Sequence, residues 1–326
     1  MTNPLHTGFV YDPYCLAHNP GSGHPERSER LASTIAHLEQ QPWFPTLIKT
    51  EGRRAPVQWL ETIHDPAYIE RARAACATGE LHLDVPDVGI SPESYEVART
   101  AAGAGLALAD KLMAGEIDNG FSLTRPPGHH AEHAMALGFC LFNNIAIVAR
   151  YLQQHHGVEK VAIVDWDVHH GNGTQHTFEP DPSVFFASLH QYPFYPGSGA
   201  HSETGEGKGV GATLNCPMHA GSTDADYQSA FTEKVLPALH QFAPDVILIS
   251  AGFDAHRADP LASIELSTHC YRWMSERILE VADQHASGRV LSFLEGGYSL
   301  QALPLCVATH LESLLQVDSE QLTARL

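Results

Sequence analysis

The chain predicts an α/β fold, a mostly parallel, doubly wound sheet flanked by helices on both faces. Short apolar runs recur along it, each leading into a polar turn that contains glycine, as strands buried on both faces do. Helical patterns lie between these runs, and strand alternating with helix is the signature of a parallel sheet. The polar clusters fall just after the runs, where open α/β sheets bind ligands, outside the carboxyl ends of the strands.

In order along the chain, a helix is predicted at about 26 to 40. The next has Ser91 as its cap and Pro92 in its first turn, continues through Tyr95, Val97, Ala98 and Leu106, and stops at Gly115. A strand at Phe121 to Thr124 precedes a helix at 141 to 155. Val161 to Val164 and Val184 to Leu189 are strands, followed by a glycine-rich stretch from 196 to 211. That stretch lacks the Gly-Lys-Ser/Thr ending of a phosphate loop and reads as a structured loop beside the active site. A helix at 223 to 242, a strand at Val246 to Ser250, a helix at 268 to 286 and a strand at Val290 to Leu294 complete the pattern. No repeat or low-complexity linker divides it, so residues 1–326 read as one domain.

The 326 residues carry 19 basic and 38 acidic side chains, a formal charge of −19 that disfavours nucleic acid and anionic membranes as partners. Cationic substrates such as lysine-rich peptides or polyamines fit that charge, although solubility alone accounts for it. Six separate cysteines without a CxxC pair read as reduced thiols in a cytoplasmic protein. There is no secretory leader pattern and no run of 18 apolar residues.

The segment Asp165-Trp166-Asp167-Val168-His169-His170-Gly171-Asn172-Gly173 carries the strongest chemical signal. Alternate residues of a strand share a face, so Asp165, Asp167 and His169 are expected to converge. Carboxylate oxygen with imidazole nitrogen suits Zn²⁺ or a similar ion better than Mg²⁺ or Ca²⁺. Asp254, after the strand ending at Ser250, is placed to be a further ligand, and two carboxylates with one imidazole leave a position open for catalysis. A lone Asp there also serves as a helix cap. His129 and His130 follow a stiff Pro-Pro-Gly turn, which suits proton transfer at a fixed distance; metal ligation is the alternative. In Glu295-Gly296-Gly297-Tyr298 two glycines allow a tight turn that presents Tyr298 inward, to stabilise an oxyanion or simply to fill the core.

These motifs together resemble the zinc-dependent histone deacetylase and acetylpolyamine amidohydrolase family, whose fold is the arginase-deacetylase fold. The likeness covers roughly residues 6 to 310. It rests on Gly23-His24-Pro25-Glu26-Arg27, Arg125 to His130, Gly138-Phe139-Cys140, Asp165 to Thr174, Tyr195-Pro196-Gly197, Asn215-Cys216-Pro217 with Gly221 and Tyr227, Gly252 to His256 and Glu295 to Tyr298. The resemblance implies one Zn²⁺ on Asp167, His169 and Asp254. It implies His130 as general base and acid, with His129 as its electrostatic partner oriented by Asp165. Tyr298 would bind the substrate carbonyl and then the oxyanion, Phe139 and Tyr195 would wall a tunnel for an acyl-lysine, and the Gly138 carbonyl would accept the amide N–H. Arg27 would line an inner channel for acetate. A structural K⁺ is implied on Asp165, the carbonyls of Asp167 and His169, and Ser188 and Leu189.

Asn172 stands where some members of the family carry an Asp behind the second active-site histidine, so His130 should have less support for its protonated form. Asn172 and the Gly-His-Pro-Glu-Arg segment are typical of the class II branch, and Tyr298 stands where an inactive-leaning branch has histidine. An acidic residue that grips the substrate backbone at the rim is expected in Asp84 or Asp87. His169-His170-Gly171 lacks the second Asp of the binuclear arginase motif, and His256 follows Asp254, so one metal is expected and guanidine hydrolysis is not. Leu261 stands where a polyamine-preferring relative has glutamate. The sequence therefore reads as a lysine deacylase. Its alternatives are an acetylpolyamine deacetylase and, without turnover, an acyl-binding module.

Overall fold

The computed structural model describes residues 5–317. Its strands are β1 (Thr7–Val10), β2 (Ile48–Lys49), β3 (Asn119–Ser122), β4 (Val161–Asp165), β5 (Val184–Gln191), β6 (Thr213–Met218), β7 (Val246–Ala251) and β8 (Val290–Leu294). They form one sheet in the order β2-β1-β3-β8-β7-β4-β5-β6, with every neighbouring pair parallel. The helices are α1 (Glu29–Leu38), α2 (Val57–Leu60), α3 (Pro66–Thr78), α4 (Ser94–Met113), α5 (Asn144–His156), α6 (Asn172–Phe178), α7 (Asp224–Ala230), α8 (Leu236–Phe242), α9 (Thr268–His285) and α10 (Ala302–Leu314). Among the described residues no helix is long and apolar enough to cross a membrane.

Strand periodicity divides the core in two. Ala162 and Val164 of β4 face a layer with Leu31 of α1, Met274 of α9 and Leu311 of α10. Val161 and Ile163 point the other way, toward Tyr68 of α3, Leu106 of α4 and Ile147 of α5. Both faces of the central strands are buried, which is why they are predominantly apolar.

Several boundaries differ from the sequence reading, each for a local reason. The strand near 121 begins at Asn119, and β1, β2 and β6 are additional. Ser91 is not a helix cap. Its backbone N–H donates to Ser94 Oγ (2.8 Å), forming a turn before α4 starts at Ser94. The stop at Gly115 holds, with a left-handed φ of 70°. The long helix expected at 223 to 242 opens with a Thr223–Asp226 capping box, widens into a π turn over Phe231–Val235 and resumes as α8. Pro237 in the first turn of α8 has no N–H to continue the α ladder.

Candidate active site

The site sits at the carboxyl ends of β3, β4, β7 and β8, where the four following loops converge. β4 ends at Asp165, so strand alternation does not itself bring Asp167 and His169 together. Two successive side-chain turns do: the Asp167 N–H donates to Asp165 Oδ1 (3.0 Å), and the His169 N–H to Asp167 Oδ1 (2.9 Å). Asp254, beyond β7, joins them by accepting the Val168 N–H on Oδ1 (2.9 Å).

One ligand atom from each of Asp167, His169 and Asp254 lies within 4.8 Å of the others. His169 Nδ1 stands 3.2 Å from Asp167 Oδ1 and 3.1 Å from Asp254 Oδ2. Burial, together with the charge of Asp167, pushes the Asp254 carboxyl up to about 7. Burial opposes a charge on His169, yet the two carboxylates raise it to about 10. Two buried carboxylates facing one imidazole form a donor set suited to a divalent cation. The backbone leaves room for little else. A Cβ on Gly296 would fall 2.1 Å from Asp254 Oδ2 and 2.6 Å from Asp167 Oδ2, and the Gly296 N–H donates to that same Asp167 oxygen at 2.7 Å. A second cluster, Asp110 with His155 and His156, differs in that Arg53 already neutralises Asp110 at 2.6 Å.

The paired histidines are held differently. His129 Nδ1 lies 2.9 Å from Asp165 Oδ2; burial opposes its charge, but Asp165, Asp167 and Glu295 prevail and raise it to about 10. His130 Nδ1 lies 2.7 Å from Asn172 Oδ1, and burial with the charges of His129 and His169 holds its pKa well below the usual histidine range. The two imidazoles are thus pushed in opposite directions, His129 toward its charged form and His130 toward its neutral one. Such a separation defines acid and base roles.

A cavity of about 310 Å³ opens over this centre, lined by Asp87, His130, Gly138, Phe139, His169, Tyr195, Leu261 and Tyr298. Gly138 and Phe139 both take left-handed φ values, 55° and 68°, which turn the Phe139 ring into the wall edge-on to Tyr298 (5.8 Å). The Tyr195 ring stands edge-on to His130 (5.3 Å), and its hydroxyl donates to Asp87 Oδ2 (2.9 Å). Of the two acidic residues expected at the rim, Asp87 lines the cavity. Asp84 does not line it: it is paired with Arg71 (3.1 Å) and accepts the Ala136 N–H (2.8 Å), so it fastens the loop from behind.

Arg27 is also corrected. It is exposed on a surface hollow with His24 and Glu29, while Arg30, one helical turn on, is fully buried. The Arg30 guanidinium donates to the Gly297 carbonyl (2.7 Å) and the Glu295 carbonyl (2.5 Å) and lies 4.9 Å from the Tyr298 ring. Ser188 pairs beside Asp165 across β4 and β5, and both Ser188 and Leu189 are buried; the Ser188 hydroxyl is 2.9 Å from His190 Nδ1. His256 stays outside the metal cluster, its Nδ1 accepting the Ala258 N–H.

Other contributors were not singled out from sequence. Glu295 accepts the N–H groups of Gly128 (2.7 Å) and His129 (3.2 Å), fixing the histidine pair to β8. Asp259 accepts from Tyr298 N (2.6 Å), Ser299 N (3.2 Å) and Leu261 N (3.0 Å), and so clips the tyrosine turn to the Leu261 loop. Phe194 stacks on His169 at 5.4 Å. Glu295 stands in the Glu-Gly-Gly-Tyr motif and Phe194 beside Tyr195, but neither pattern gives the residue its role, and Asp259 sits in a loop without periodicity.

This arrangement has counterparts. Residues 24–314 match the histone deacetylase domain. The chain belongs to the histone deacetylase family. It is 40% identical to "Histone deacetylase 14, chloroplastic" of Arabidopsis thaliana over 93% of this chain and 75% of that protein. It is 38% identical to "Polyamine deacetylase HDAC10" of Homo sapiens over 89% of this chain and 44% of that protein. The crystal structure of the HDA15 HD domain superposes with a TM-score of 0.89 at 38% identity, covering 96% of this chain and 88% of that one. The fold is therefore the arginase-deacetylase fold. Zinc-dependent hydrolysis of acetylated amides is the activity of this deacetylase family, and the Asp167–His169–Asp254 cluster is its candidate metal centre here.

Proposed function

We propose that the protein removes acyl groups from lysine side chains. The observation that carries this is the placement of His130, Tyr298, Phe139, Tyr195 and the apolar Leu261 around one narrow cavity over the metal cluster. Asp167, His169 and Asp254 would hold the zinc, which when bound would supply Lewis acidity toward the carbonyl and water. The chain's own groups do the rest. His130, neutral and facing the cavity, accepts a proton at Nε2 and returns it to the leaving amine, while cationic His129 stays bound to Asp165. Tyr298 directs its hydroxyl at the carbonyl oxygen, where negative charge develops. Phe139 and Tyr195 exclude water along the aliphatic stem, the Gly138 carbonyl accepts the amide N–H, and Asp87 meets the substrate backbone at the rim. Arg30 replaces Arg27 as the arginine behind the tyrosine, on the acetate side.

K⁺ is proposed as a second, structural ion on Asp165, Ser188, Leu189 and the carbonyls of Asp167 and His169. One catalytic domain and a cytoplasmic location complete the reading; the free, buried state of all six cysteines supports a reducing compartment.

Acetylpolyamine hydrolysis is the second reading, favoured by the likeness to HDAC10. Leu261 argues against it, since an apolar wall offers no partner for a distal ammonium. The test is kcat/KM of the zinc-loaded protein on an acetyl-lysine peptide beside N-acetylputrescine, with Tyr298→Phe as the blank. Preference for the peptide is expected. Preference for the polyamine reverses the substrate assignment, and turnover that survives in the blank removes Tyr298 from the mechanism.

A further inference from the structure

Behind His130 runs a chain of polar contacts that ends at the surface. Asn172 opens α6 and His176 follows it by four residues, so both side chains lie on one face of the helix. The first turn of α6 is pressed against the segment that carries the histidine pair: the Thr174 N–H donates to the His129 carbonyl (3.2 Å), and a Cβ on Gly173 would lie 2.2 Å from the Ala131 carbonyl oxygen. Glu132 is thereby set against α6. Its Oε1 accepts from Asn172 Nδ2 and from His176 Nδ1, the latter at 2.8 Å. Its backbone carbonyl is fixed separately by His64 Nδ1 (2.8 Å).

These contacts determine the orientation of the Asn172 amide. Glu132 Oε1 and the His130 carbonyl, 3.2 Å from Nδ2, can only accept, so the nitrogen must face them and Oδ1 must face His130. Oδ1 then accepts the His130 Nδ1 proton, leaving the lone pair on Nε2, the nitrogen a general base must offer. A carboxylate bonded to the far side of an amide polarises it, strengthening the bond on the near side. Glu132 is one-fifth exposed and His176 nearly half, so the negative charge lies one residue further from His130 than an Asp at position 172 would place it.

We propose that Glu132 is a positioning residue for His130, acting through the Asn172 amide to fix the imidazole tautomer and to support its protonated form in the transition state. His176 shares the same Glu132 oxygen and draws charge away from Asn172. The proposal rests on His130 as the proton-transfer group, and its test has one arm that needs no turnover.

In zinc-loaded protein, Glu132→Gln is expected to lower kcat on an acetyl-lysine peptide about tenfold, with KM and melting temperature unchanged. Adding Asn172→Asp to that variant returns a carboxylate to the line and is expected to recover most of the loss. In ¹⁵N-histidine-labelled protein, the His130 Nδ1–H resonance moves upfield in Glu132→Gln. It moves downfield in His176→Ala, a surface change that keeps the fold whatever happens to Glu132→Gln. An unchanged resonance in His176→Ala, an unchanged kcat in Glu132→Gln, or a loss that Asn172→Asp fails to recover overturns the proposal. Absence of wild-type turnover would count against the functional reading alone, because the resonance arm still decides the role of Glu132.

Discussion

At the scale of single residues, the site separates the candidate metal cluster from the groups that face the cavity. Asp167, His169 and Asp254 satisfy one another and backbone N–H groups, whereas Tyr298 fixes only its backbone, to Asp259, and leaves its hydroxyl to the cavity. Tyr298→Phe should therefore lower kcat by about 10²- to 10³-fold, the usual cost of one oxyanion donor. Zinc content, read by atomic absorption after dialysis, should stay at the wild-type level. Asp254→Ala should do the reverse at the metal: zinc is lost on dialysis and activity goes with it. Stoichiometric zinc retained in Asp254→Ala would show that the cluster is not the metal centre.

At the scale of elements, α1 is tied to the site by buried charge. Glu26, just before the helix, is paired with Arg125 (2.6 Å) and Arg30 (3.2 Å), all fully buried, and burial alone would raise its carboxyl. Arg125 and His18 overcome that and hold it well below the usual carboxylate range. Removing one partner strands the others, so Glu26→Gln should cost on the order of 3–5 kcal/mol in urea unfolding. A cost near the ~1 kcal/mol of a surface pair would mean that the network is solvated. This network also shows why sequence alone does not distinguish Arg27 from Arg30. Arg27 and Arg30 are one turn apart in a polar stretch, and only the packing of α1 against the Gly296-Gly297 turn decides which is buried. The central strands were legible because their apolar runs have no other use. β1, β2 and β6 were not, being short or edge elements whose pairing depends on distant partners. The clustering of Asp167, His169 and Asp254 and the inward place of Tyr298 were legible because their motifs combine residue types that metal and oxyanion chemistry require. The roles of Glu295, Asp259 and Glu132 were not legible, because loop carboxylates acquire their roles from tertiary contacts alone.

At the scale of the whole molecule, stability depends on histidines folded in their neutral form. His310 lies in the core between two hydroxyls: Ser275 Oγ (2.6 Å) donates to the Tyr271 carbonyl and so accepts from His310 Nδ1, while Ser292 Oγ (2.9 Å) donates to Nε2. Both ring nitrogens are satisfied without a second proton, and burial lowers the pKa to about 3. His64 is similar. It donates from Nδ1 to the Glu132 carbonyl and accepts the Asn143 N–H on Nε2, and burial lowers it to about 4. The unfolded chain protonates both near pH 6.5 and the folded chain does not. Below pH 6.5 the unfolded state therefore binds more protons, and stability falls with pH by about 1.4 kcal/mol per unit for each histidine. That loss continues down to the folded pKa values. His310→Gln keeps a donor and an acceptor between the two serines but cannot titrate. Compared with the wild type by urea unfolding, it should be the less stable at pH 7.5, and its deficit should shrink by about 2 kcal/mol at pH 5.0. Metal loss on acidification affects both proteins alike and cancels in the difference. A deficit that stays constant between the two pH values would mean that His310 takes up its proton inside the folded core.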